Sequence, residues 1–227
     1  ENTVLQIIEQ VKKCGIEKLQ LIIVDDFSQD GTRKQLETLE KSDDLLILYH
    51  EKNKGKGAAI RTAQSKIKGD AVVIQDADLE YSPEEFPRML KLIKEGKADA
   101  VYGSRYSGST VLVDTFWHYY GNKFLTAFFN LLANRHLTDM ETCYKMIKSD
   151  IFKNIKLSSN RFGFEPEISA KLVKKGCRIY EIPIGYSPRC EKAGKKIGWK
   201  DGVAALWHIV KFNLFVSLEE NNSSEEE

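Results

Sequence analysis

The sequence offers little to chemistry built on sulfur, zinc or a bilayer span. Its four cysteines (Cys14, Cys143, Cys177, Cys190) are far apart and form no Cys-x-x-Cys pair, so free thiols of a reducing compartment are expected. The four histidines (His50, His118, His136, His208) are equally scattered, which removes the usual zinc spacings. No apolar run reaches the length of a transmembrane helix, and nothing reads as a secretory leader; a cytoplasmic chain is expected. The net charge of +1 supplies no global field for nucleic acid. Glycine-rich stretches exist, but none continues into the Gly-Lys-Ser/Thr of a P-loop. There is no internal repeat and no linker, and 227 residues suffice for one sizeable core.

What is present is alternation. Val4, Ile7, Ile8 and Val11 recur at helical spacing, and an apolar run over residues 19–24 then reads as a strand. Helices are expected to about residue 40, over 58–66, from the capping signal Ser82-Pro83-Glu84-Glu85 to about 95, over 115–134 and over 164–174. Strands are expected over 45–49, 72–75, 98–102 and 142–147. Another is expected over 178–184, at a sheet edge because Pro183 cannot donate to a ladder. Such alternation implies βαβ units and a mostly parallel sheet in an α/β fold. Residues 187–198 form a basic loop, 199–215 are amphipathic, and the acidic tail 219–227 is expected to be disordered.

Two of these strands run into acids. The first ends at Asp25-Asp26 and the third at Gln75-Asp76-Ala77-Asp78-Leu79-Glu80. Ligands of open α/β sheets bind outside the carboxyl ends of strands. In an extended segment alternate residues point the same way, so Asp76, Asp78 and Glu80 are candidate oxygen ligands for Mg²⁺ or Mn²⁺. The competing reading is a solvated strand end with a helix cap. Lys54-Gly55-Lys56-Gly57 could let backbone N–H groups and lysines approach a nucleotide, with Gly57 among the candidate binding residues; a flexible solvated turn is the other reading. The aromatics of 115–134 and the stripe Trp199, Val203, Leu206, Trp207, Val210 and Leu214 suit either a core or dimer contact or a membrane interface.

Taken in order, Val24-Asp25-Asp26-Phe27-Ser28-Gln29-Asp30-Gly31-Thr32, Asn53-Lys54-Gly55-Lys56-Gly57, Asp76-Ala77-Asp78 and Gly103-Ser104-Arg105 resemble the family-2 glycosyltransferases of GT-A fold. Asp139-Met140-Glu141-Thr142-Cys143-Tyr144-Lys145 and Tyr186-Ser187-Pro188-Arg189 look like the polyprenyl-phosphate glycosyltransferases, the group that includes dolichol-phosphate mannose synthase. The resemblance covers residues 1–215 and implies one GT-A domain over 1–218. Within it, 1–108 would bind the nucleotide-sugar, 109–198 the acceptor, and 199–218 would be an amphipathic C-terminal helix.

It further implies inverting, metal-dependent transfer of a mannose- or glucose-type hexose from a GDP- or UDP-sugar to a polyprenyl phosphate. The enzyme would be peripheral to the cytoplasmic face of a membrane, without nucleic acid, and a homo-oligomer is compatible. By the same resemblance Asp26 accepts from the donor's base. Asp76 and Asp78 hold metal and diphosphate, with Asp78 counted as catalytic, and Glu80 stands where the family often has Gln. Arg105 addresses the acceptor phosphate, and Arg189 with Lys196 the donor diphosphate. Asp139 is the family's candidate base, although a phosphate acceptor is already anionic near neutral pH and needs little help. Two alternatives stay open: a saccharide hydroxyl as acceptor, and a donor-binding module without turnover. The second rests on a departure. Family members open with an apolar strand and Pro-x-Tyr-Asn-Glu, and this sequence begins about where that motif ends. Unpaired backbone is therefore expected beside residues 19–24.

Overall fold

The computed structural model describes residues 1–227 apart from 41, 109, 114, 162, 189–198 and 218–227. In chain order the elements are α1 (Val4–Lys12), β1 (Leu21–Asp25), α2 (Thr32–Glu37), β2 (Leu45–Tyr49), α3 (Lys56–Gln64) and β3 (Ala71–Val73). A 3₁₀ turn, Pro83–Glu85, leads into α4 (Phe86–Lys94), followed by β4 (Ala100–Ser104), α5 (Phe116–Ala133) and β5 (Lys145–Lys148). The chain continues through α6 (Ser149–Lys153), α7 (Phe164–Lys174), β6 (Ile179–Pro183) and α8 (Trp199–Val210), ending in a π-helical turn, Lys211–Phe215. The acidic tail expected to be disordered lies outside the described residues.

Local chemistry accounts for most boundaries. Ser82 Oγ accepts from the Glu84 N–H, and Pro83 needs no partner for its nitrogen. Gly15, Gly96 and Gly176 follow α1, α4 and α7 with φ of 84°, 69° and 71°, left-handed stops that side chains with a Cβ resist.

The strands lie in two sheets. β1 and β2 pair in parallel, Leu21 opposite Leu45 through Asp25 opposite Tyr49. The second sheet has the order β3-β5-β4-β6. β4 and β6 are parallel there, and β6 is an edge strand ending in Pro183, as its proline required. β5 runs antiparallel to both β3 and β4, so the expected parallel character holds for two of the four pairings. After α5 the chain re-enters the sheet from its far end, and β5 fills the space between β3 and β4 in reverse.

Among the described residues neither the second edge of β1 nor that of β3 has a strand partner. Both edges face a cavity of about 1510 Å³ lined by Leu21–Val24 and Ala71–Gln75. Ile7, Val11 and Phe86 of α1 and α4 belong to the cluster on one side, and Ile60 and Phe152 of α3 and α6 to that on the other. The Gln20 side chain ties the two edges at one end, donating to Lys66 O and accepting from Lys68 N–H. β4 is buried throughout, whereas Leu21–Val24 and Ala71–Val73 are only half-buried despite helices on both faces.

An extended apolar segment would pair both edges. Burying each β-branched side chain contributes roughly 1.5–3 kcal/mol, against about 1–2 kcal/mol of backbone ordering per residue. Five Val/Ile residues joined ahead of residue 1 by a flexible linker are therefore expected to raise Tm by about 5 °C or more. Calorimetry and hydrogen exchange at Leu21–Val24 check this; an unchanged Tm with unprotected amides would count against a strand-shaped gap.

Candidate active site

The two acids that end β1 have separate duties. Asp25 accepts from the Ser28 N–H and from Arg33 Nε at 2.6 Å, which fixes the turn into α2. Asp26 faces the other way. It accepts from His50 Nδ1 at 2.7 Å, Lys54 N–H at 2.8 Å and Gly55 N–H at 2.6 Å. Burial alone would raise its pKa, but the bonds from His50, Lys54 and Gly55 outweigh it and hold the carboxyl below the ordinary range. Asp26 thus shapes the loop 53–55, a use that residue spacing did not reveal.

At Gly57, expected by the resemblance near the nucleotide, a Cβ would collide with the Ser159 carbonyl, and one at Gly55 with that of Asn160. The glycines let the 158–161 segment lie on the start of α3, where Asn160 O accepts from the Ala58 N–H. Arg61 reinforces the contact by donating to Ser159 O and Asn160 Oδ1.

The third strand stops at Val73, and the acids after it lie in a turn. Asp78 Oδ1 accepts from the Glu80 N–H, and Leu79 between them has φ 64°. The alternation of an extended segment is therefore broken. Glu80 is drawn to Tyr186, whose hydroxyl donates to Oε2 at 2.9 Å. Among the described residues no three His, Cys, Asp or Glu side chains converge as a ready metal cage, so Asp76, Asp78 and Glu80 do not form the triplet that alternation suggested. Asp76 and Asp78 alone still fit Mg²⁺ or Mn²⁺, which takes one or two carboxylates and completes its shell with phosphate oxygens and water.

Lys56, the first residue of α3, puts Nζ 2.9 Å from Asp76 Oδ2 and 2.9 Å from Glu165 Oε1. Glu165 lies in the first turn of α7. The buried groups beneath are tuned against charge. Burial pushes Glu141 up to about 8, with Glu165 adding to it, and burial also raises the Cys143 thiol. Lys145 is lowered by burial; its ammonium donates to Met140 O at 2.8 Å and to Thr142 O.

Arg105 follows β4. Gly103 in that strand leaves room for Ile184, whose side chain a Cβ would meet at 2.8 Å. The Arg105 guanidinium donates from Nε and Nη2 to the two oxygens of Asp139, each at 2.7 Å. Asp139, fully buried, also accepts from the Arg105 N–H. The rings of Tyr106 and Tyr186 each lie 5.3 Å from the guanidinium carbon. Asp139 thus holds the Nε–Nη2 edge of the fork, with aromatic rings alongside. Tyr186, 106 residues on from Glu80, links that acid to Arg105. Tyr106 carried no sequence signal of its own. Arg189 and Lys196 lie outside the described residues.

Beside this site an apolar surface stands in solvent. On α5, Phe116, Trp117, Tyr120, Phe124 and Leu131 are exposed, Trp117 at 81%. The inward face of α5 is Thr126 and Phe129. Of the stripe read along 199–215, Val203, Trp207 and Leu214 are exposed and Leu206 and Val210 half-buried, while Ala205, Ile209 and Phe212 beside them enter the core; the Trp199 side chain lies outside those described. Hydropathy cannot tell these faces apart, because both are apolar. Among the described residues no helix is long and apolar enough to cross a membrane.

The α/β architecture is that of GT-A glycosyltransferases. The chain belongs to glycosyl transferase family 2, whose model matches residues 1–156. It is 29% identical over 219 residues to the low-salt glycan biosynthesis hexosyltransferase Agl6 of Haloferax volcanii, covering 94% of this chain and 50% of that protein. It is 26% identical over 189 residues to glycosyltransferase AglJ of the same organism, covering 83% of this chain and 60% of that one. The chain thus spans about half to three-fifths the length of these curated relatives. Among solved structures, glucosyl-3-phosphoglycerate synthase from Mycobacterium tuberculosis, in complex with Mn²⁺, UDP and phosphoglyceric acid, superposes with a TM-score of 0.68. Its identity is 15%, over 96% of this chain and 76% of that one, a likeness of fold.

Proposed function

We propose that this glycosyltransferase moves a hexose from a nucleotide-sugar to a polyprenyl phosphate, with inversion at the anomeric carbon. The observation that carries this reading is the anchoring of Arg105. Its guanidinium is held by a fully buried carboxylate, flanked by tyrosine rings and linked through Tyr186 to the acidic turn. An arginine so fixed beside an anionic donor suits an acceptor that is itself an anion. Asp139 then positions Arg105 instead of serving as a base, since both its oxygens are engaged.

Asp76 and Asp78 would hold Mg²⁺ or Mn²⁺, which when bound supplies Lewis-acid stabilisation to the leaving nucleoside diphosphate. Glu80 keeps Tyr186 in place, and Asp26 orders the loop over which the donor's base would lie. Arg189 and Lys196 are assigned to the diphosphate by family resemblance alone. The name of Agl6 supports a hexosyl donor and a part in glycan biosynthesis for this chain. The deciding experiment is a screen of GDP- and UDP-hexoses against a polyprenyl phosphate and against saccharide acceptors, with and without Mg²⁺ or Mn²⁺. Transfer to saccharides alone would remove the lipid-phosphate reading; no turnover with any pair would favour a donor-binding module.

A lipid acceptor calls for a membrane surface, and the exposed face of α5 and α8 suits one: Trp117, Tyr120, Phe124, Val203 and Trp207 are all exposed. Vesicles containing anionic lipid are expected to float the protein. Burial of one large apolar side chain is worth roughly 1.5–3 kcal/mol, so Trp117→Ser combined with Trp207→Ser should weaken partitioning at least about tenfold. Equal flotation of both proteins, or none of either, would remove this surface from the mechanism.

A further inference from the structure

We propose that Lys56 is a displaceable cation of the acidic site. Its ammonium neutralises Asp76 in the unliganded chain, yields that carboxylate when a divalent cation binds, and stays anchored on Glu165, within reach of the donor diphosphate. The inference rests on Asp76 being a metal ligand. Three observations carry it. Lys56 Nζ lies 2.9 Å from both Asp76 Oδ2 and Glu165 Oε1, so one ammonium spans the acidic turn and the start of α7. A second hydrogen bond is available at the anchor: Glu165 is 5% exposed, and its Oε2 is a buried oxygen without a hydrogen-bond partner among the described residues. An ammonium that leaves Asp76 can satisfy that oxygen while keeping its bond to Oε1.

The stem of the lysine is also fixed while its head is mobile in principle. Asp26 holds the backbone N–H groups of Lys54 and Gly55, and Asn160 O holds that of Ala58. Lys56, Asp26 and Asp76 meanwhile all line the large cavity. The side-chain chemistry suits the task. A lysine is a compact charge on a flexible stem with rotatable donors, whereas an arginine would lock a planar pair. A divalent cation and an ammonium repel when they share one carboxylate, so metal binding without donor is opposed. A diphosphate supplies the released ammonium with a new partner and relieves that opposition. Metal and nucleoside diphosphate should therefore bind with positive coupling that depends on Lys56.

Free Mn²⁺ is followed by electron paramagnetic resonance, with the whole chain, at constant pH, with and without UDP or GDP. Lys56→Met is expected to bind Mn²⁺ alone about tenfold more tightly than the unaltered chain, and to lose most of the tightening that the nucleotide confers. Asp76→Asn is expected to weaken Mn²⁺ binding in every arm. Mn²⁺ binding unaffected by Asp76→Asn would overturn the metal reading itself. Weakened binding in Asp76→Asn, together with unchanged or weaker binding in Lys56→Met, would overturn the displacement alone and make Lys56 a fixed counter-ion. Melting curves check folding; if Lys56→Met does not fold, Lys56→Gln, which keeps a hydrogen bond to Glu165, carries the same comparison.

Discussion

Asp78→Asn is expected to take turnover to the assay floor, a loss of at least about 10³-fold, while Tm stays within about 2 °C. The structure explains why the two effects separate. In the folded chain Asp78 Oδ1 accepts from the Glu80 N–H, a bond that the amide oxygen of asparagine accepts equally well. The turn therefore survives. What disappears is a negative charge on a half-buried oxygen at the rim. Under the metal reading that charge holds the cation on which leaving-group stabilisation depends. Turnover with matched nucleotide-sugar and acceptor, measured beside a melting curve, decides the matter. Full activity in the variant, or in the unaltered chain under excess chelator, would end the metal role of this turn.

Arg105→Ala is expected to cost more than Asp139→Asn when the acceptor is a lipid phosphate. The barrier there is repulsion between two anions. Two unit charges about 5 Å apart at an effective dielectric near 20 repel by roughly 3 kcal/mol, or about two orders of magnitude in rate. Arginine offsets that repulsion directly, while Asp139→Asn leaves the arginine present but held on one side only, a loss of about tenfold. Because Asp139 is fully buried, Arg105→Ala also strands a carboxylate in the core. Arg105→Lys is the companion variant: it keeps a charge near Asp139 but loses the two-pronged bond, and it should fall between the other two. With a saccharide hydroxyl as acceptor the order reverses, since a proton must leave during attack and a base is worth about 10²–10⁴-fold. Asp139→Asn proving the more damaging with polyprenyl phosphate would count against the phosphate acceptor.

Much of this architecture could be read along the chain because its causes are local. The apolar runs of β1 and β2, the cap at Ser82, the glycine stops after α1, α4 and α7 and the acids that end two strands depend on neighbours a few residues away. The same holds for Pro183, which marks an edge strand because its nitrogen lacks a hydrogen. The order of short motifs was enough for family membership.

What only the tertiary structure decided involves partners far apart in sequence. Asp139 and Arg105 are separated by 34 residues, and Tyr186 and Glu80 by 106. No periodicity records that these side chains meet. Asp76, Asp78 and Glu80 were expected to align because a strand alternates; the strand ends at Val73, Leu79 takes a positive φ, and Glu80 is bonded to Tyr186. The role of Gly57 likewise belongs to the approach of Ser159, and the outward face of α8 to the placement of α5 and α7 around Ile209 and Phe212. Sequence determines which segments can be helix or strand, because backbone preference and capping are settled within a turn or two of chain. Long-range packing decides which charges meet, because a buried ion pair is chosen by desolvation and geometry once the strands are already in place.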